Sequence, residues 1–294
     1  MNTLRFSFAV NTAGRDKDWD FEKLATGYQD IEGTIADMIH HVQSGHALCA
    51  GLLNSQRRSK ANVTGSQLLL LDIDNSKGLT DSDGNPLDDQ NRPIRIGRQN
   101  VDIQGNPIDK PDRRKQGKVY HHQLTIEEAI AHPFIHAHAA LIYTSASHKP
   151  SWHKFRIVFL LPELVQGSDT IEALVRYLMA HLPHDPACKD SSRVFYGNTQ
   201  AEFPLVNPDA ALPLEWIAQA KAAAVEAKAE YDRRITEAIA RRDQLRQTAD
   251  QEGWNLDELI EQALTYIPPR QQGSGNYDEC RQVLMALHSH YGEA

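Results

Sequence analysis

The stretch LLLLDID, Leu68 to Asp74, constrains the fold more than any other part of the chain. An unbroken run of leucines reads as a strand buried inside a covered sheet. The run ends in two aspartates one residue apart. Side chains at i and i+2 of a strand point to one face, so Asp72 and Asp74 stand side by side at the end of a buried strand. Like charges so placed repel and raise each other's pKa unless positive charge lies between them. A solvated strand end or turn is one explanation, since Asp and Asn favour turns. A site for hard divalent cations, which take carboxylate oxygens, is the other.

The flanking elements follow from pattern. Phe21 to Val42 has helical apolar spacing, and HALCAGLL, His46 to Leu53, reads as a short strand. The polar link that follows carries Arg57, Arg58 and Lys60, either solvated loop charges or candidates to hold phosphates. Residues 76–124 read as an insertion rich in Gly, Pro and Asp. Within it DSDGNPLD (Asp81 to Asp88) is repeated approximately as DIQGNPID (Asp102 to Asp109), and a Gly-Asn-Pro turn in each copy suggests a hairpin-like excursion. The Glu that an EF-hand calcium loop needs is missing there.

Regular structure resumes with TIEEAIAHP, a helix with a capping box of Thr125 and Glu128 and an end at Pro133. Phe134 to His148 reads as a strand, KPSW as a turn, and His153 to Leu161 as its hairpin partner. A helix starts at Ser168, and the loop from Asp185 to Gln200 leads into a strand near Val194 to Tyr196. This order implies an α+β domain, with an antiparallel or mixed sheet covered by helices, over residues 1–213. Residues 214–252 read as a helical connector, either one long helix or a helical hairpin, Ala-rich and sparse in apolar positions. Residues 253–294 read as a small helical domain, its helices joined by a Pro-Pro and Gly-Ser turn; a longer protein is expected to continue from it.

Composition excludes several classes. The 294 residues, 40% hydrophobic and 24% charged, suit one large or two smaller globular domains. Nowhere is there an apolar run near the roughly 20 residues that span a bilayer, and the N-terminus lacks the apolar core of a signal peptide. Three widely spaced cysteines (Cys49, Cys188, Cys280) argue against a disulfide framework and fit a reducing cytoplasm. The formal net charge of −8 confines any nucleic-acid surface to a local patch.

Three acidic or His-bearing places fall at strand ends of one sheet: Asp72 with Asp74; Ser147, His148 and His153; Asp185 and Asp190. Arg156 and Arg193 add positive charge. Two-metal phosphoryl transfer uses such a set, with carboxylates on separate strands holding the cations and His and Arg donors holding phosphate oxygens. Each residue alone has a simpler explanation. His148 or His153 could cap the hairpin turn, and Asp190 could cap a local turn or pair with Arg193.

Taken together, the motifs resemble the archaeo-eukaryotic primase superfamily, in its plasmid- and phage-type primase-polymerase branch. LLLLDID is similar to the first motif, a hydrophobic strand ending in DxD or DxE. Both ASH (Ala146 to His148) and SWH (Ser151 to His153) satisfy the second, and DPACKDSSRVFYGNT resembles the third. The resemblance covers roughly residues 40–205 and 254–294. It implies an RRM-like catalytic core with an N-terminal α/β unit, followed by an all-helical region. It also implies two Mg²⁺ or Mn²⁺ ions on Asp72, Asp74 and Asp185, with Asp190 the alternative third ligand, and a catalytic His148. His153, Ser147, Arg156, Arg193, Asn198, Thr199, Arg57, Arg58 and Lys60 are the implied nucleotide contacts. The implied partners are a single-stranded DNA template, NTPs or dNTPs and a helicase domain in the same chain, with no membrane; the implied location is the cytoplasm of a prokaryote or its mobile element.

Three rival readings stay open at this level. A haloacid-dehalogenase-type phosphatase also starts from a strand ending in DxD, but it would need a later Lys and a second acidic pair, and no convincing DD pair follows the hairpin. A rolling-circle Rep nuclease would use His136 and His138 on one strand face, with Tyr143 as nucleophile. A DNA-binding replication module that has lost catalysis would keep the fold alone.

Overall fold

The computed structural model describes residues 4–15, 21–94 and 115–265. The chain divides into two units, Met1–Asn75 with His122–Arg234, and Ser76–His121 with Ile235–Ala294. In chain order the elements are β1 (Phe6–Arg15), α1 (Phe21–Ala25), β2 (Tyr28–Gly33), α2 (Ile35–Gln43), β3 (His46–Cys49), β4 (Gly51–Leu53), β5 (Val63–Ile73), β6 (Ser76–Gly78) and β7 (Lys118–Tyr120). They continue with α3 (Ile126–Ala131), α4 (Pro133–His138), β8 (Ala139–Thr144), β9 (Phe155–Gln166), α5 (Ser168–His181), β10 (Val194–Phe195), β11 (Leu205–Val206), α6 (Leu214–Glu252) and α7 (Leu256–Thr265). The architecture is α+β with antiparallel sheets and a long C-terminal helix.

The first unit holds two sheets. One has the order β11-β8-β9-β5-β4, the other β10-β3-β1-β2, and every pairing is antiparallel. The leucine run is central to the first sheet, and its alternation explains why no polar residue interrupts it. Leu68 and Leu70 share a core with Phe6, Phe8 and Val10 of β1 and with Met38 and Val42 of α2. Leu69, Leu71 and Ile73 face the other way, into a core with Ile126, Ile135, Leu174, Leu178 and Ile217 from α3, α4, α5 and α6. Each fully buried leucine contributes about 1.5–3 kcal/mol.

Several expectations change. The helical spacing from Phe21 to Val42 is divided among α1, β2 and α2: Gly27, at φ 78, ends the first helix, and β2 pairs along β1 from Phe6↔Gly33 to Asn11↔Tyr28. A capping box of Thr34 and Asp37 then starts α2. HALCAGLL is two strands, β3 and β4, which the chain places in different sheets on either side of Ala50. The helix α3 ends at Ala131, just before Pro133 as expected, but Pro133 also opens α4, where a proline's missing N–H costs nothing. Phe134 to His138 is accordingly helical, and only Ala139–Thr144 forms the strand.

The capping box of Thr125 and Glu128 and the β8–β9 hairpin are as expected. The connector Leu214–Glu252 is one helix of 39 residues; Ile217 and Ala220 enter the core, while Val225, Tyr231 and Leu245 are exposed. In the second unit β6 and β7 pair antiparallel, and Asp81 and Asn85 close the first Gly-Asn-Pro turn. The second copy of that turn and the C-terminal Pro-Pro and Gly-Ser turn lie outside the described residues.

Gly197 fixes how the stretch after β10 meets the α2–β3 turn. Its amide donates to the His46 carbonyl at 3.0 Å, and that of Asn198 to the Val42 carbonyl at 2.8 Å. A Cβ at Gly197 would sit 2.5 Å and 2.6 Å from those oxygens of Val42 and His46. Gly197→Ala is therefore expected to cost about 3 kcal/mol, as overpacking against backbone does. Urea unfolding checks this; an unchanged midpoint would show that the stretch moves aside freely.

Candidate active site

The question raised by the paired aspartates is answered by the next strand. β5 and β9 pair with Asp72 opposite Arg156 and Ile73 opposite Phe155. Lys154 and Arg156 thus repeat on β9 and the turn before it the i, i+2 spacing of Asp72 and Asp74, on the same face. Lys154 Nζ lies 2.7 Å from Asp74 Oδ1, and Arg156 Nε 3.3 Å from Asp72 Oδ1. Arg156 is held from its other side by the Tyr196 carbonyl, which accepts from Nη1 at 2.6 Å, and lies against the rings of Tyr143 and Phe195. Burial raises the Asp72 pKa, with Asp74 and Asp185 adding to the rise and Arg156 and Arg193 opposing it. The opposed charges neutralise the pair.

A third segment closes on the same strand end. The Asp185 amide donates to the Asp72 carbonyl at 2.8 Å, and the Asp72 amide donates to Cys188 Sγ at 3.2 Å. Two backbone anchors therefore bring the Asp185–Cys188 turn against the carboxylate pair. Burial pushes the Cys188 thiol up to about 12, which makes it an inert packing group. Asp190 is turned to local work: its Oδ1 accepts from the Ser192 amide at 2.8 Å and the Ser192 hydroxyl at 2.9 Å.

These placements separate Asp185 from Asp190 experimentally. Asp185→Ala is expected to weaken Mg²⁺ or Mn²⁺ binding at the strand end, and Asp190→Ala to leave it unchanged at a cost of about 1 kcal/mol in stability. A metal titration of both variants reads this. The opposite ranking would exchange the roles of the two carboxylates.

The hairpin brings the two histidines to the same end of the sheet, with ring centroids 5.4 Å apart, but in different environments. His153 is spent structurally. Its Nδ1 accepts from the Ile126 amide at 3.0 Å, and its Nε2 donates to the Pro150 carbonyl at 3.1 Å. His148 Nδ1 accepts from the Lys154 amide at 3.1 Å, which leaves the proton on Nε2. Burial and the neighbouring His153 ring lower its pKa, so it is a neutral donor at pH 7. Ser147 is exposed beside it, with its hydroxyl 3.5 Å from that of Ser145.

The remaining sequence candidates scatter. Arg57 pairs with Glu22, and Lys60 with Asp169 and Glu172 of α5. Arg58 donates to the Ser192 carbonyl at 2.7 Å and so braces the loop before Arg193. The Asn198 side-chain Nδ2 donates to the Thr144 carbonyl and its Oδ1 accepts from the Gln200 amide, a structural use of both ends. Thr199 is exposed and packs on Gly45 at the α2–β3 turn. His136 and His138 lie on α4, where i and i+2 point to different sides, and Tyr143 is fully buried. That removes the one-face pair and the accessible nucleophile on which the Rep reading rested.

Four contributors escaped sequence reasoning. Lys154 had a readable signal, the same alternation as Arg156 opposite an acidic strand end. Trp152 donates from Nε1 to the Asp74 carbonyl at 3.0 Å, and Cys188 anchors Asp72. Asn75, at φ 46 and buried, donates to the Leu124 and His153 carbonyls and accepts from the Gln123 and Leu124 amides. It ties the strand end to the hairpin and to the start of α3, and asparagine tolerates this left-handed backbone better than most residues.

Among the described residues no three His, Cys, Asp or Glu side chains are close enough to enclose a metal ion. A paired carboxylate site still suits Mg²⁺, which is held by one or two carboxylates together with substrate phosphates rather than by a closed protein cage. The all-oxygen donor set of Asp72 and Asp74, with Asp185 adjacent, is of the type that fits a hard cation.

No family model and no curated protein matches the chain. Among solved structures, the chain is similar to the AEP domain of the cyanophage S-2L primase-polymerase (PrimPol), with a TM-score of 0.35 at 10% identity over 72% of this chain and 88% of that one.

Proposed function

We propose that this protein is a DNA-dependent primase-polymerase, which joins nucleotides on a single-stranded template by metal-assisted nucleotidyl transfer. The observation that carries this reading is the convergence of Asp72, Asp74, the Asp185 turn and the His148 donor at one strand end. Divalent cations bound there would supply charge neutralisation for the triphosphate and activation of the attacking hydroxyl. Asp72 and Asp74 would hold them, and Asp185 would complete the anionic set. Arg156, locked between Asp72 and the Tyr196 carbonyl, orients the Asp72 carboxylate. His148 donates its Nε2 proton to a phosphate oxygen, and Arg193 adds positive charge beside the pair.

The test is to supply the protein with single-stranded DNA, NTPs or dNTPs, and Mg²⁺ or Mn²⁺. New oligonucleotides are expected. Bound but unextended DNA would favour a non-catalytic replication module, and cleaved DNA joined to protein would favour a nuclease.

A further inference from the structure

Lys154 touches three parts of the site at once. Its ammonium is 2.7 Å from Asp74 Oδ1, with only 13% of the side chain exposed. That ammonium lies 4.3 Å from the centroid of the Trp152 ring, and Trp152 in turn donates to the Asp74 carbonyl. Its backbone amide fixes His148 with the proton on Nε2. A cation arriving at Asp74 therefore competes with this ammonium for the same oxygen. A largely buried ammonium that loses its carboxylate needs another anion, because an unpaired buried charge is strongly disfavoured. The aromatic ring beneath it keeps it close, and the group brought in with the cation is itself an anion, the triphosphate.

We propose that Lys154 is a further catalytic residue: it holds Asp74 until a divalent cation takes that carboxylate, then contacts the phosphates of the incoming nucleotide. This rests on the nucleotidyl-transfer reading. It makes nucleotide and cation binding mutually supportive, since each gives one member of the Lys154–Asp74 pair a new partner.

The experiment measures binding rather than turnover. Free Mn²⁺ is titrated by its paramagnetic resonance signal, and ATP and dATP binding is measured with Mn²⁺ present, in the full chain and in Lys154→Ala, Lys154→Met and Lys154→Arg. Methionine keeps the packing on Trp152 if alanine fails to fold. Loss of the charge is expected to tighten Mn²⁺ binding about tenfold without nucleotide and to weaken nucleotide binding about tenfold or more, the range of one charge-assisted hydrogen bond. Lys154→Arg, which keeps the charge, should fall between wild type and Lys154→Met in both. Unchanged or weaker Mn²⁺ binding in Lys154→Met, or unchanged nucleotide affinity, overturns the assignment. Wild-type protein that binds Mn²⁺ and nucleotide but makes no oligonucleotide would instead overturn the polymerase reading, with both binding arms still deciding the role of Lys154.

Discussion

Replacing Asp72 and Asp74 together with asparagine is expected to abolish nucleotide incorporation in a protein that still folds. The carboxylates are the anionic centre of the site, and on the proposed reading cations held there would supply several kcal/mol of transition-state stabilisation; their loss should cost on the order of 10⁴ in rate. Asparagine leaves an oxygen for Lys154 and Arg156, whereas alanine would strand both cations. Arg156 also retains the Tyr196 carbonyl and its ring contacts. Stability gives a second, independent readout. A carboxylic acid whose folded pKa is raised binds its proton more tightly in the fold than in the unfolded chain. Its contribution is therefore greatest below the unfolded value of about 3.9 and is lost as pH rises through the folded pKa. In chelator, the wild type should lose stability relative to Asp72→Asn as pH climbs through that window. Undiminished synthesis by the double variant would sink the assignment of the site.

The histidines should divide into one functional and one structural variant. His148→Ala removes a neutral donor aimed from a preorganised hairpin, and such losses cost on the order of 10²–10³ in rate. Because the proton sits on Nε2 of a neutral ring, His148→Gln, whose amide reaches a similar distance, should recover part of the rate. His153→Ala is expected to act on stability instead. It strands the Ile126 amide at the start of α3 and the Pro150 carbonyl, worth about 1–3 kcal/mol. Single-turnover incorporation and urea unfolding on both variants check the division. A rate loss confined to His153→Ala would reverse the assignment.

Much of the local order was legible in the residues. The leucine run demanded cover on both faces, and the acidic pair demanded positive charge. The capping box, the β8–β9 hairpin and the 39-residue helix follow from capping chemistry, alternation and the absence of Gly and Pro. The errors came where short-range pattern and long-range pairing disagree. Leu24, Tyr28, Ile31, Ile35 and Met38 keep helical spacing, yet β1 captures Tyr28–Gly33 as a strand, because ladder pairing outweighs weak helix propensity. His136 and His138 alternate like strand residues, yet Pro133 starts a helix there.

At the site, sequence alone determined the candidates: a carboxylate pair with one-face spacing, two histidines in one hairpin, and two later aspartates separated by a short loop. Tertiary structure gave them different partners. Which histidine is free to donate depended on the Ile126 amide, 27 residues away. Which aspartate meets the pair depended on an amide reaching the Asp72 carbonyl across the sheet end. Lys154 became visible only when the β5–β9 register set it beside Asp74. Hydrogen-bond partners are chosen by proximity in space, and a linear pattern records only which groups seek them.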